Sequence, residues 1–171
     1  MKVTKKQLNS RNCIICGLDN DLGLKAPFYN LDDGSVASIF TFKSEHQSYP
    51  GRTHGGMITA LLDELIGRAL WVNSPDVYGV TTSINVTFRK PVPYDVKLKG
   101  RGYITFEASK WFSAKGEIYD FDGTVLAEAT AKYLKLSPEL IQTGIDIHEE
   151  MCYDIKDDVK ELDFPPIPEK V

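Results

Sequence analysis

The sequence predicts an α+β fold, with one central helix at about 56–73 packed on an antiparallel sheet of five to six strands. Three observations carry this prediction. Apolar residues recur at helical spacing in a single segment of the body. The period then changes to two, the signature of a half-buried strand. Finally, strand-like runs succeed one another with no helix between them, which excludes the alternating order of a parallel α/β sheet.

Each element has its own signal. A first strand runs over roughly Val36 to Ser44 and carries Ile39, Phe40 and Phe42. Tyr49-Pro50-Gly51 separates that strand from the helix. In the helix, Ile58, Leu61, Leu62, Leu65, Ile66, Ala69 and Leu70 fall at i, i+3, i+4 spacing, and Asn73-Ser74-Pro75 ends the run. Val80, Thr82, Ile84, Val86 and Phe88 then alternate with polar residues, up to Pro91 and Pro93. Two more strands run from about Val96 to Ala108 and from Ser109 to Phe121. Asp122-Gly123 is a hairpin turn leading into a last strand from Thr124 to Leu136. The division is therefore an irregular N-terminal segment (1–35), a body (36–136) and a Pro-containing acidic extension (137–171), in which 139–148 can form a short helix. One helix cannot cover both faces of such a sheet, so dimerisation is expected to bury the remainder.

Length and composition fit one domain: 171 residues, 42% hydrophobic and 26% charged. The net charge of −4 argues against a general nucleic-acid binder. It is unevenly spread, because from Gln142 onward nine acidic residues face three basic ones, which leaves the first 141 mildly basic at +2. The simplest expectation for that tail is a solvated extension. The longest apolar stretch, Met57 to Val72, is broken by Asp63, Glu64 and Arg68, so no membrane span is expected. Met1 to Lys6 lacks a following apolar run, and the expected location is cytoplasmic.

Nucleophile-elbow, phosphate-loop, dinucleotide and zinc-protease signatures are absent. His54-Gly55-Gly56 stands directly before the helix instead. The first N–H groups of a helix have no intrahelical partner, and two glycines let a substrate oxygen come close to them. That pattern suits an oxyanion hole, or merely a tight loop-to-helix turn. Asp63 lies at the edge of the apolar arc, beside the small residues Gly56, Thr59, Ala60 and Gly67. A half-buried carboxylate there suits general-base or nucleophilic work, and a surface aspartate is the plain alternative. Glu64 points further round, toward solvent. Thr81, on the polar face of the next strand, can hold a water or the carboxylate, while Arg89 and Lys90 at its end can meet phosphates.

Three cysteines do not make a disulfide scaffold. Cys13 and Cys16 have metal-ligand spacing, and only a fold-back of the tail would add His148 and Cys152 to complete four ligands. The expectation here is reduced thiols and no metal.

His-Gly-Gly, Leu-Leu-Asp-Glu seven to ten residues after that histidine, and a strand ending Asn-Val-Thr-Phe-Arg-Lys-Pro resemble the PaaI-like hotdog-fold acyl-CoA thioesterases, of the 4-hydroxybenzoyl-CoA thioesterase superfamily. Cys13-x-x-Cys16-Gly17 with Asn20 and Gly23-Leu24 is similar to the N-terminal pattern of one uncharacterised branch. The resemblance implies a hotdog fold, a sheet wrapped around its helix, with two sheets joined in a homodimer and dimers paired into tetramers. It implies hydrolysis of an acyl-CoA or related acyl thioester without a cofactor. Gly55 N–H would polarise the carbonyl, with His54 and Gly56 shaping the loop. Asp63 would come from the partner subunit as base or nucleophile, and Thr81 would hold the water. Related sequences often carry Asn or Gln six residues before the motif histidine. This chain has Ser48 there, with Gln47 beside it. That departure leaves room for a non-catalytic acyl-CoA-binding or regulatory protein, whereas the Asp/His pair of a hydratase is not evident.

Overall fold

A computed structural model describes residues 1–141 and 147–168. Seven strands form one antiparallel sheet: β1 (Val3–Gln7), β2 (Phe28–Leu31), β3 (Val36–Thr41), β4 (Tyr78–Phe88), β5 (Lys97–Glu107), β6 (Trp111–Tyr119) and β7 (Val125–Leu136). Their order across the sheet is β1-β2-β3-β5-β6-β7-β4. The central helix α1 (Gly55–Arg68) continues as a 3₁₀ turn over Ala69–Val72, so the expected helix is present with a tighter end. It packs one face on β4, β5, β6 and β7. Ile58, Leu61, Leu62, Leu65 and Ile66 are all buried there. Each contributes roughly 1.5–3 kcal/mol relative to exposure. The four strands after the helix and their Asp122-Gly123 turn fall within a few residues of their expected positions.

Three expectations are corrected. The N-terminal segment is not irregular throughout. It supplies β1 and β2, which widen the sheet from five or six strands to seven. The alternating face of β4 is less buried than its pattern implies, since Val80 and Phe88 are exposed in the single chain. β4 is an edge strand, and nothing among the described residues covers that part of it.

The third correction concerns the acidic tail, which is not solvated along its length. It runs back beside β1, with bridges Lys2–Glu161 and Asn9–Tyr153. Leu162 and Phe164 join Tyr29, Leu31, Ala37 and Tyr119 in a second core on the sheet face away from α1. The cause lies in β5. Leu98 faces the helix side, so Lys99 and Arg101 face the other and are buried there. They need acceptors, and the tail provides them: Lys99 Nζ donates to the Asp163 carbonyl at 2.6 Å, and Arg101 donates to that of Pro165. Arg101 also pairs with Asp33. Two short helices, Pro138–Ile141 and Ile147–Glu150, precede this strap. The rest of the expected tail helix lies outside the described residues.

Candidate active site

Helix α1 begins where the sequence places its turn. His54 is the N-cap, and its Nδ1 accepts the Gly56 N–H at 2.9 Å. The ring proton therefore sits on Nε2. Gly56 is thereby occupied, whereas the Gly55 N–H donates to no acceptor among the described residues. Gly55 opens onto a cleft of about 380 Å³ together with Arg52, Thr53, Phe88 and Lys90. A Cβ at Gly55 would lie 3.3 Å from the Phe88 ring, so the absence of a side chain is what opens the approach. Thr53 Oγ1 is buried beside this cleft with no partner among the described residues.

The loop before the cap is a small hairpin. Gln47 bridges Thr53, Ser48 N–H donates to the Arg52 carbonyl at 2.8 Å, and Gln47 Oε1 accepts a long 3.5 Å bond from the Tyr94 hydroxyl. Gln47 and Ser48 are both exposed at the Gly55 end of α1. His46 is structural: it is buried, accepts the Lys43 N–H on Nδ1, and faces the Leu22 carbonyl through Nε2.

Asp63 sits on the same helix, half-buried, in a depression of about 110 Å³. Its Oδ1 accepts from the Thr81 hydroxyl at 2.8 Å, and the Tyr133 hydroxyl shares its proton between that oxygen at 2.8 Å and the Asp63 backbone carbonyl at 2.9 Å. Oδ2 has no hydrogen bond among the described residues. Thr81 and Tyr133 are cross-strand partners in the β4–β7 ladder, and the register shifts between Thr81 and Ser83. That irregularity turns Thr81 toward the helix. Burial, with the adjacent Asp63 carboxylate, holds the Tyr133 phenol far above its ordinary pKa, so it remains a donor.

Tyr133 is the residue that sequence reasoning missed. Its signal was present in Ala127, Ala129, Ala131 and Tyr133, the inward positions of β7, where one hydroxyl ends a row of small residues. Of the two bases placed near phosphates, Arg89 is bonded to Glu128, and that bond together with Lys115 lowers the Glu128 carboxyl below its ordinary range. Lys90 makes no such pair among the described residues. Arg52, not singled out in the sequence, lines the same cleft.

The two halves do not meet within one chain. Gly55 and Asp63 are eight residues apart on α1, about 12 Å at the helical rise. No single substrate carbonyl can lie within bonding reach of both.

The cysteines do not form the four-ligand set that their spacing allows. Cys13 and Cys16 face Glu64, and one donor atom from each lies within 4.8 Å of the others. Cys152 is exposed and outside this group, and the His148 side chain lies outside the described residues. Nor does Glu64 point to solvent: its Oε1 accepts from the buried Arg68 at 2.7 Å.

Residues 50–127, from just before the Gly55 turn into β7, match the family model described as Thioesterase superfamily. The chain has the hotdog fold of that superfamily. Mouse acyl-coenzyme A thioesterase THEM4 is 28% identical over 138 residues, which is 79% of this chain and 58% of that protein. The chain thus spans little more than half the length of that relative. A thioesterase superfamily protein of solved structure is 26% identical, with a TM-score of 0.67 over 72% of this chain and 63% of its own. The PaaI protein of the E. coli phenylacetic acid degradation operon shares the hotdog fold at 18% identity, with a TM-score of 0.60 over 67% of this chain and 81% of its own. Among the described residues, no helix is long and apolar enough to cross a membrane.

Proposed function

We propose that the chain hydrolyses an acyl-CoA thioester at a site shared between two copies of itself. The observation that carries this reading is the carboxylate of Asp63, fixed through one oxygen by two hydroxyls with the other oxygen open. In the proposed site, the Gly55 N–H of one copy binds the thioester carbonyl oxygen. Asp63 of the other copy takes a proton from water, whose oxygen adds to the carbonyl carbon, or attacks that carbon itself to form an anhydride that water then hydrolyses. The tetrahedral oxyanion is held by the helix N-terminus, the C–S bond breaks, and the thiol leaves with a proton. Lys90 and Arg52 meet the CoA phosphates in the cleft beside Gly55, because Arg89 is already tied to Glu128. The names of the relatives support the reaction class, and the gap of about 12 Å within one chain supports the shared site. Dimers paired into tetramers, and a cytoplasmic setting, belong to the same proposal.

The test is a panel of acyl-CoAs of varied length and aromaticity, assayed by thiol release. The expected result is turnover by the wild-type chain and a kcat lower by about 10²–10⁴-fold for Asp63→Ala, the range for loss of a positioned base. The oligomer should persist in that variant. Stoichiometric acyl-CoA binding without thiol release would replace the enzyme reading with a binding protein, the alternative raised by Ser48. Unchanged turnover in Asp63→Ala would remove Asp63 from the mechanism.

A further inference from the structure

The Cys13–Gly17 turn takes no part in the thioester site, yet its parts are arranged around a common point. The Gly17 N–H closes the turn on the Cys13 carbonyl at 2.8 Å, and a Cβ at Gly17 would meet three backbone atoms at 2.4–2.8 Å. Only glycine lets the chain fold this tightly, and the fold sets both sulfurs on one side. Backbone N–H groups of Ile15 and Cys16 point at Cys13 Sγ, at 3.3 and 3.5 Å. A third candidate ligand atom comes from α1: Glu64 Oε2 accepts from the Cys13 thiol, with the two atoms 3.8 Å apart. Tetrahedral zinc with bonds of about 2.1–2.3 Å separates its ligand atoms by about 3.6–3.8 Å.

The surroundings fit the same reading. Glu64 uses only Oε1 for Arg68, which leaves Oε2 facing the sulfurs. Arg68 in turn donates to Cys16 Sγ at 3.0 Å, and the Ser10 hydroxyl lies 3.3 Å from that sulfur. These are outer partners of the kind that orient ligands around a metal. Metal binding displaces the thiol protons, and two thiolates and a carboxylate against one guanidinium then carry −2, which a divalent cation cancels.

We propose that Cys13, Cys16 and Glu64 bind a thiophilic divalent cation, zinc by its chemistry, with a fourth position open on the half-exposed Cys13 side. The ion clips the N-terminal segment to α1 at the residue next to Asp63. This reading is independent of the thioesterase proposal, and its readout is metal binding rather than turnover. A disulfide between the two cysteines is the competing use of the pair, but it would take the Cys13 thiol proton from Glu64 and weaken the Cys16 sulfur as an acceptor for Arg68.

The test uses the full chain, reduced and stripped with chelator, titrated with Co²⁺ as a spectroscopic probe and then with Zn²⁺ in competition. The expected result is one Co²⁺ per chain, with thiolate-to-cobalt charge-transfer absorption and the visible bands of a tetrahedral site, both lost on adding Zn²⁺. Cys13→Ser and Cys16→Ser should abolish the charge-transfer band, and Glu64→Gln should weaken binding at least tenfold. Cys152→Ser should change nothing, which also shows that a cysteine variant of this chain can be made folded. Absence of cobalt binding by the folded reduced chain would overturn the proposal. Binding that survives Glu64→Gln at full strength, or that depends on Cys152, would overturn the ligand set.

Discussion

Asp63 owes its geometry to two hydroxyls that reach it from one pair of cross-strand neighbours, Thr81 and Tyr133. Only Thr81 was legible in the sequence, because it comes after the helix on a strand whose alternation marks its polar face. Tyr133 stands 70 residues from Asp63, and only the β4–β7 register brings it there. The same blindness explains Glu64. Helical periodicity assigns it an angle, but only the fold shows that Arg68 and the cysteine turn cover that angle. If Tyr133 positions the carboxylate, Tyr133→Phe should lower kcat by about tenfold, one charge-assisted hydrogen bond at about 1.4 kcal/mol per decade. KM should move less than about twofold, since the phenol does not face the cleft that would hold CoA. Steady-state kinetics on the wild type and the variant check this split, and a raised KM with unchanged kcat would show that Tyr133 acts on binding instead.

At the scale of elements, the helix and the strands from β3 to β7 were readable because each carries its own period. β1, β2 and the C-terminal strap were not, because their partners lie far away in sequence. β1 is defined by pairing with β2 and by bridges to the tail, and the strap by acceptors for two buried bases on β5. Composition marked the tail as acidic, and acidity alone reads as solvation. Asp157 shows why it is not free: its carboxylate pairs with Lys6 at 2.7 Å and accepts from the Tyr29 hydroxyl at 2.7 Å. Partial burial opposes ionisation, but the Lys6 and Tyr29 bonds outweigh it and hold the Asp157 carboxyl below the ordinary range. A carboxyl whose folded pKa is depressed stabilises the fold above its unfolded value, near about 3.9, and loses that contribution as the pH falls through the folded value. Asp157→Asn should therefore cost about 1 kcal/mol at neutral pH, after allowance for solvent at this partly exposed pair. The difference should shrink toward zero as the pH falls through the depressed folded value. Thermal melts of both chains across this range check it, and a gap that persists in acid would assign the cost to packing rather than charge.

At the scale of the whole molecule, one chain leaves two things unfinished. β4 is an eleven-residue edge strand with Val80 and Phe88 exposed, a surface that proteins rarely leave bare. The proposed reacting groups are also split, with Gly55 and Asp63 about two helical turns apart on α1. A two-fold pairing of copies would resolve both at once, because an isologous interface brings residue i of each copy to residue j of the other. This gives a sharp test of the proposed shared site. Gly55→Val places a branched side chain at the oxyanion position and against the Phe88 ring, while Asp63→Asn removes the base. Each homodimer should be nearly inactive. In a heterodimer of the two variants, one site joins intact Gly55 to intact Asp63, and the other collects both defects. Co-expressed with two tags and purified through both, that heterodimer should recover about half the wild-type rate per dimer, as two-fold symmetry requires. Were both groups taken from one chain, every site in it would carry one defect, and purified heterodimer as inactive as either parent would end the shared-site reading.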